Sequence, residues 1–392
     1  MAYDVTSWFV DQANSKISSP VRKFTIGSSD YSDRVTAWPM LKVAWDQVRA
    51  SKLTLTLAND DGVMNFLQQD KINMRQDCVI GVGFTHPTSG AETITLIAGK
   101  VEKFTMSKGT MRLTLADKFK AFNERVVGTS DNPVSYTGSN YLVSDIAWWL
   151  CTSYGGLDST KSTANPDIDY ANFSDWASVF SGDSVFLNAR FTGMKVTEAL
   201  RKISQITRSA IFPENDLLQF HRFSFINSYA KTLDNDTIID LSVGVDDKDI
   251  TNRQYMALDY DVTSRYHKST VVAASSASVN SYGVREASFA DASMWYVNSL
   301  SAINFCERVT TTQDEPYSKI KVRAPLVGML RQIGEMVYVT DDQVGISNAV
   351  YRIMNRTFNM NTGEVSFGAD PSQLLNAFRL DYSALDGSDV LS

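Results

Sequence analysis

The stretch VEKFTMSKGTMRLTLAD, residues 101–117, reads as two β-strands joined by a short polar turn at Ser107-Lys108-Gly109. Gly109 supplies the positive φ that a tight hairpin needs. Phe104 and Met106 alternate with polar neighbours before the turn, and Met111, Leu113 and Leu115 do so after it. This period of two marks strands with one buried face. The same spelling returns near the end of the chain, in RTFNMNTGEVSFGAD, residues 356–370. Phe104-x-Met106-x-x-Gly109 matches Phe358-x-Met360-x-x-Gly363, and both copies run on into Ala-Asp, at 116–117 and 369–370. The two stretches are expected to close two related β-domains, with other material spliced between them.

The chain around these hairpins is 392 residues long, enough for two to four domains. A hydrophobic fraction of 43% and a charged fraction of 21% are those of an ordinary folded protein. No apolar run approaches the length that would span a bilayer, and the start, MAYDVTSWFVDQ, lacks the basic and apolar regions of a signal peptide. Cys78, Cys151 and Cys306 are odd in number and far apart, which fits buried thiols better than a disulfide frame. Charge is uneven. Residues 1–128 hold 16 Lys and Arg against 13 Asp and Glu, so the net −7 of the chain leaves the remainder at −10. An acidic body argues against a general grip on nucleic acid, which needs clustered cations. It leaves open a surface past which DNA slides without sticking.

In chain order, VRKFTIG (21–27) and SKLTLTLA (51–58) read as strands, with a Trp38-Pro39 turn between them. Asn59-Asp60-Asp61-Gly62 reads as a plain turn, because it lacks the alternating acids and distal Glu of a calcium loop. The apolar piece Val63-Met64-x-Phe66-Leu67 is expected to pack over the barrel end. CVIGVGF (78–84) and TITLIAG (93–99) complete five or six antiparallel strands, a small barrel or sandwich. A short helix starts at Lys118–Phe122.

Beyond Val127 the composition turns to Ser, Thr, Asn, Asp and Gly. A helix is expected from Ser139 or Asn140, either a good N-cap, to Gly155-Gly156. Its Trp148-Trp149 pair reads as a core anchor ahead of a sugar platform. Then SVFLNARF (184–191), a helix with Val196, Leu200 and Ile203 on one face, and the strands SAIF (209–212) and LLQFHRF (217–223) make a compact α+β unit. Residues 224–249 read as an acidic loop region and 278–290 as a turn. A helix is expected from about Asp291, with Tyr296, Leu300, Ile303 and Cys306 on one face. Strands at 320–326, 334–341, 350–358 and 364–368 rebuild a β-domain. The fold class is therefore mainly β with α+β insertions: two related antiparallel β-barrel domains plus smaller α/β domains. The divisions fall at 1–127, 128–245, 246–370 and a C-terminal tail at 371–392.

Catalytic patterns are absent. His86, His221 and His267 each lie more than five residues from any Cys or other His, so no zinc spacing exists. No nucleophile elbow, P-loop, dinucleotide fingerprint or metalloprotease motif occurs. The pairs Asp60-Asp61, Asp246-Asp247 and Asp341-Asp342 sit in expected turns, where Asp bonds its own backbone. The chain reads as a non-enzyme with no cofactor and no metal.

Several pieces, in this order, resemble the tail hub (baseplate hub) proteins of bacteriophages and phage-derived injection machines. They are the first β-domain with Trp38-Pro39, LTLTLANDDG (53–62) and the hairpin running into Ala-Asp-Lys (116–118); Gly193 to Leu200 continuing through LLQF (217–220); ITNRQYMALDY (250–260) followed by Tyr282-Gly283-Val284-Arg285; and a Gly-Glu-x-Val-Tyr-Val strand (334–339) before Tyr351-Arg352-Ile353. Together they cover most of residues 20–368, leaving 128–183 and the tail unmatched. The resemblance implies two related β-barrels with α/β insertions, and a homotrimeric ring at the tip of the virion tail, made in the host cytoplasm. Its implied partners are a tail-tube or distal-tail protein, a tape-measure protein and a central spike or fibre, with DNA passing through unbound. Lys103, Lys108 and Gly109 on one hairpin, and Met360 and Gly363 on the other, are then expected near inter-subunit contacts. Rival readings are a receptor- or carbohydrate-binding tip protein, suggested by 16 Tyr and 7 Trp, a cell-wall or polysaccharide hydrolase, and a hexameric tail-tube ring protein.

Overall fold

The computed structural model describes residues 5–14, 20–45, 48, 52–65, 77–182, 185–214, 216–223, 231–234 and 237–371. Two curled, mainly antiparallel sheets of seven strands organise it. The first runs, in spatial order, Ser29–Asp30, Val21–Ile26, Asp77–His86, Gly90–Ser107, Thr110–Asp117, Lys52–Ala58 and Val35–Ala37. The main path of the second runs Lys231–Leu233, Met336–Asp341, Ile346–Asn359, Glu364–Pro371, Ser318–Ala324 and Asp240–Val245.

Both sheets use the same four-strand plan. Three consecutive strands form a meander, and the strand before them in the chain returns to lie beside the last. The match between residues 104–109 and 358–363 is thus a repeat of sheet topology. Gly109 and Gly363 both sit at φ +78°. The first hairpin closes tightly on the pair Ser107/Thr110, and the second closes on Asn359/Glu364 with a longer loop.

The alternation in Lys52–Ala58 does what its pattern requires: Leu53, Leu55 and Leu57 all point inward and are buried. One continuous apolar core takes Phe24, Leu55 and Leu113 from the first sheet and Val339, Ile353 and Phe358 from the second. A separate core lies under the insertion, where the helix Val196–Thr207 buries Val196, Leu200 and Ile203 as its spacing predicts.

The two sheets are joined by strand exchange. Met40–Ala44, which sequence reading passes over, leaves the first sheet and pairs antiparallel with Asn355–Asn359 of the second. Leu41 and Val43 face the core, while Met40 and Lys42 are exposed.

Four local expectations are corrected. The helix expected from Ser139 or Asn140 begins at Val143, because Val134–Leu142 continues as a strand paired with Phe186–Phe191. Sheet pairing outweighs a good local cap there. The helix expected from Asp291 begins at Ser299, with Asn298 accepting from the Ser301 N–H at 2.7 Å. Met294–Tyr296 is instead a strand against Phe186–Phe191, so Leu300 turns outward and is 66% exposed. Residues 224–249 contribute two edge strands of the second sheet, Lys231–Leu233 and Asp240–Val245. Residues 278–290 contain the end of a helix, Ser276–Tyr282, stopped by Gly283 at φ +72°, and a strand, Glu286–Phe289. The N-terminal helix Ser7–Asn14 has no counterpart in the sequence reading. Of the tail expected at 371–392, Pro371 ends a strand, and the rest lies outside the described residues, as does the pair Phe66-Leu67.

Candidate functional site

The hairpins and the strand-exchange junction are the places where this fold offers more than a scaffold. On the first hairpin Lys103 and Lys108 are exposed, while Phe104 and Met106 are half-buried against the shared core. Gly109 lies under Asp60; a Cβ there would fall 2.2 Å from Asp60 Oδ1. The Asn59 N–H donates to the Gly109 carbonyl at 2.8 Å, tying the turn to the neighbouring strand end.

The second hairpin is held differently. Met360 is fully buried and Gly363 packs on Pro20, so both face their own chain. The tip residue Asn361 clasps the Trp38-Pro39 turn. Its Oδ1 accepts from the Trp38 N–H at 3.1 Å, and its Nδ2 donates to the Trp38 carbonyl at 2.8 Å. Arg22 Nη2 donates to the Asn361 carbonyl at 2.7 Å. A Cβ on Gly363 would meet Pro20 Cγ at 2.8 Å with φ at +78°. Gly363→Ala is therefore expected to destabilise by about 1–3 kcal/mol. Gly90→Ala, at φ +84° with nothing within 4 Å, should lose clearly less. Urea midpoints of the two variants check this.

Behind the junction a charge is buried. Arg356, on the exchanged edge, pairs with Glu214 of the hairpin Ser209–Arg222, and the two side chains are 2% and 3% exposed. Arg356 Nη1 also donates to the Met329 carbonyl at 3.0 Å and to the Arg331 carbonyl. The guanidinium thus pins the second sheet, the turn Leu326–Leu330 and the α+β unit together.

Chemistry is sparse elsewhere. Among the described residues no three His, Cys, Asp or Glu side chains gather to hold a metal, and no helix is long and apolar enough to cross a membrane. Burial pushes the thiols of Cys78 and Cys306 up to about 12 and that of Cys151 higher still, so none is a ready nucleophile. Asp61 forms a two-pronged pair with Arg34, at 2.9 and 2.6 Å, which draws its carboxyl down to about 2. Asp246 and Asp341 accept backbone N–H groups of their own turns. Trp148 is buried among Tyr170 and Phe173, and Trp149 stacks on Tyr136 at 5.0 Å, so the pair serves the core. A cleft of about 790 Å³ opens between the helix Ser299–Gln313 and the strand Tyr266–Ala274, with Arg208, Glu307 and Arg308 at its polar wall. No motif in the sequence marks it.

His86 packs its ring on Trp8, and His267 lies on Tyr260. His221 is enclosed beside Phe212, and burial lowers it from 6.5 to about 4. The fold therefore holds it neutral. The unfolded chain takes up the proton first as pH drops, so stability is full above about 6.5 and declines toward pH 4. The expected loss from this residue is about 2–3 kcal/mol. Urea unfolding at pH 7.5 and 4.5 should show His221→Gln losing less stability than the parent across that window.

No family model matches the chain, and no curated protein matches it in sequence. Its fold does match solved structures over nearly full length. A tail protein from Neisseria meningitidis aligns with a TM-score of 0.55 at 13% identity, covering 91% of this chain and 98% of that one. The 43 kDa tail protein of prophage MuSo2 from Shewanella oneidensis gives 0.56 at 12% identity, covering 90% and 99%. A prophage tail protein from Listeria monocytogenes gives 0.50 at 10% identity, covering 88% and 94%. At these identities the likeness is one of fold: the chain shares the fold of these tail proteins over nearly its full length.

Proposed function

We propose that the chain is a structural protein of a phage-type virion tail, a hub that assembles as a trimeric ring at the tail tip. The observation that carries this reading is the repeated sheet topology within a tail-protein fold. Two similar sheets per chain make six similar units in three chains. Such a ring meets a six-fold tube on one side and a three-fold spike or fibre on the other. Its subunit contacts are heterologous and repeat around the axis. The two seven-stranded sheets are the ring-forming units, the second with Lys231–Leu233 and Asp240–Val245 as its edge strands, and the material packed around the helix Val196–Thr207 is an insertion beside them. The distal-tail or tube protein, the tape-measure protein and the central spike are its neighbours. The acidic remainder of the chain, at −10, keeps passing DNA from adhering to the wall.

The role is mechanical, not enzymatic. A carbohydrate-binding reading gains nothing from Trp148 and Trp149, which are spent on the core. Lys103 and Lys108 stand outward on the first hairpin and are the cations placed to meet an acidic neighbour. Lys103→Glu with Lys108→Glu is expected to weaken self-association about tenfold or more while leaving the fold intact. An unchanged native mass at every concentration would count against the hairpin as a contact.

A further inference from the structure

We propose that the outer edge of the strand Gly90–Ser107, from Lys103 to Ser107, is filled in the assembly by an extended segment from a second copy of this chain. The inference rests on the ring reading and comes from laying the two repeats over each other.

In the second sheet the long strand Ile346–Asn359 has two successive partners on one edge. Met336–Asp341 covers it as far as the pair Met336/Arg352, and the Ile353 N–H and carbonyl close on Glu335 and Gly334 at 2.9 and 2.7 Å. Met40–Ala44 then takes over, pairing with Asn355–Asn359, and the Trp45 N–H donates to the Met354 carbonyl at 3.0 Å. That edge is occupied along its whole length.

In the first sheet the long strand Gly90–Ser107 has the same neighbour on the same side. Asp77–His86 covers it as far as the pair Asp77/Lys100. Beyond that point, among the described residues, Lys103–Ser107 pairs only with Thr110–Asp117 on its other side. Aligning Phe104 with Phe358 and Gly109 with Gly363 in the sequence sets this stretch against the edge that Met40–Ala44 occupies in the second sheet. Among the described residues one repeat is supplied with an extra strand and the other is not.

Side-chain burial points the same way. Phe358 is 1% exposed and Met360 is fully buried, with Leu41 paired directly across from Phe358. Their counterparts Phe104 and Met106 are only half-buried. The first hairpin is missing the apolar cover that an added strand gives the second. A row of unpaired N–H and carbonyl groups beside half-covered apolar side chains is a template for strand addition.

The occupant follows from the rule seen inside the chain. The second sheet is completed by a strand from the first repeat. In a ring of alternating sheets, the first sheet of each copy is completed in the same manner by its neighbour, which gives a heterologous contact that closes. The charges agree: exposed Lys103, Lys108 and Arg112 on this hairpin face a chain whose remainder is acidic.

Amide hydrogen exchange on the full chain, dilute and assembled, tests this. The outward amides of 103–107 are expected to slow about tenfold or more on assembly, while those of 355–359 are protected in both states. Protection of 103–107 already present in the monomer would overturn the proposal, because another part of the same chain would then fill the edge. Rings that form with these amides still exchanging fast would overturn it and leave the ring intact. A chain that never assembles would remove the ring itself.

Discussion

Arg356→Met is expected to destabilise the protein by about 3–5 kcal/mol, the loss measured when one member of a buried ion pair is removed. The reason lies in what remains. Glu214 keeps its carboxylate at 3% exposure with its cation gone, and the Met329 and Arg331 carbonyls lose their donor. The double variant Arg356→Met, Glu214→Leu removes both charges and fills similar volume, so it should recover much of that loss. Urea unfolding of the two single variants and the double measures the coupling. Additive losses in the double variant would show that the pair does not act as a unit.

The second large effect belongs to the exchanged strand. Leu41→Asp together with Val43→Asp places two carboxylates at positions 6% and 7% exposed, in the seam between the sheets. The expected loss is at least about 3 kcal/mol. Its form matters as much as its size. One core runs through both sheets, so in the parent the two sheets should unfold together by fluorescence and by circular dichroism. With the exchanged strand expelled, the second sheet loses its edge partner at Asn355–Asn359, and the two probes should separate into two transitions. A double variant that still unfolds in one step, with its midpoint unmoved, would show that the strand does not couple the sheets.

What could be read from the sequence was local. Leu53, Leu55 and Leu57 alternate in a short window and declare a strand without help. Val196, Leu200 and Ile203 declare a helix in the same way, and the two glycines at 109 and 363 mark matching turns. The errors came where a distant partner decides. Ser139 and Asn140 would cap a helix in isolation, yet both lie inside the strand Val134–Leu142, whose two ends pair with Phe186–Phe191. Met40–Ala44 also alternates, but it is only five residues long and its partner lies at the far end of the chain. The Asn361 clasp joins residues 323 positions apart, and nothing in either local pattern announces it. No local pattern in the sequence marks Arg356 or Glu214 as more than an ordinary charge. Only the fold makes them a buried pair. Of the residues expected near a subunit contact, Lys103 and Lys108 are exposed, whereas Met360 is buried and Gly363 packs on Pro20.

The measurement that bears most directly on the hub reading is the native mass of the purified chain across a concentration series, with negative-stain images of the oligomer. The account predicts a trimer that appears as a ring with a central hole and pseudo-six-fold outline. A hexameric ring, or a strict monomer at the highest concentration, would contradict it.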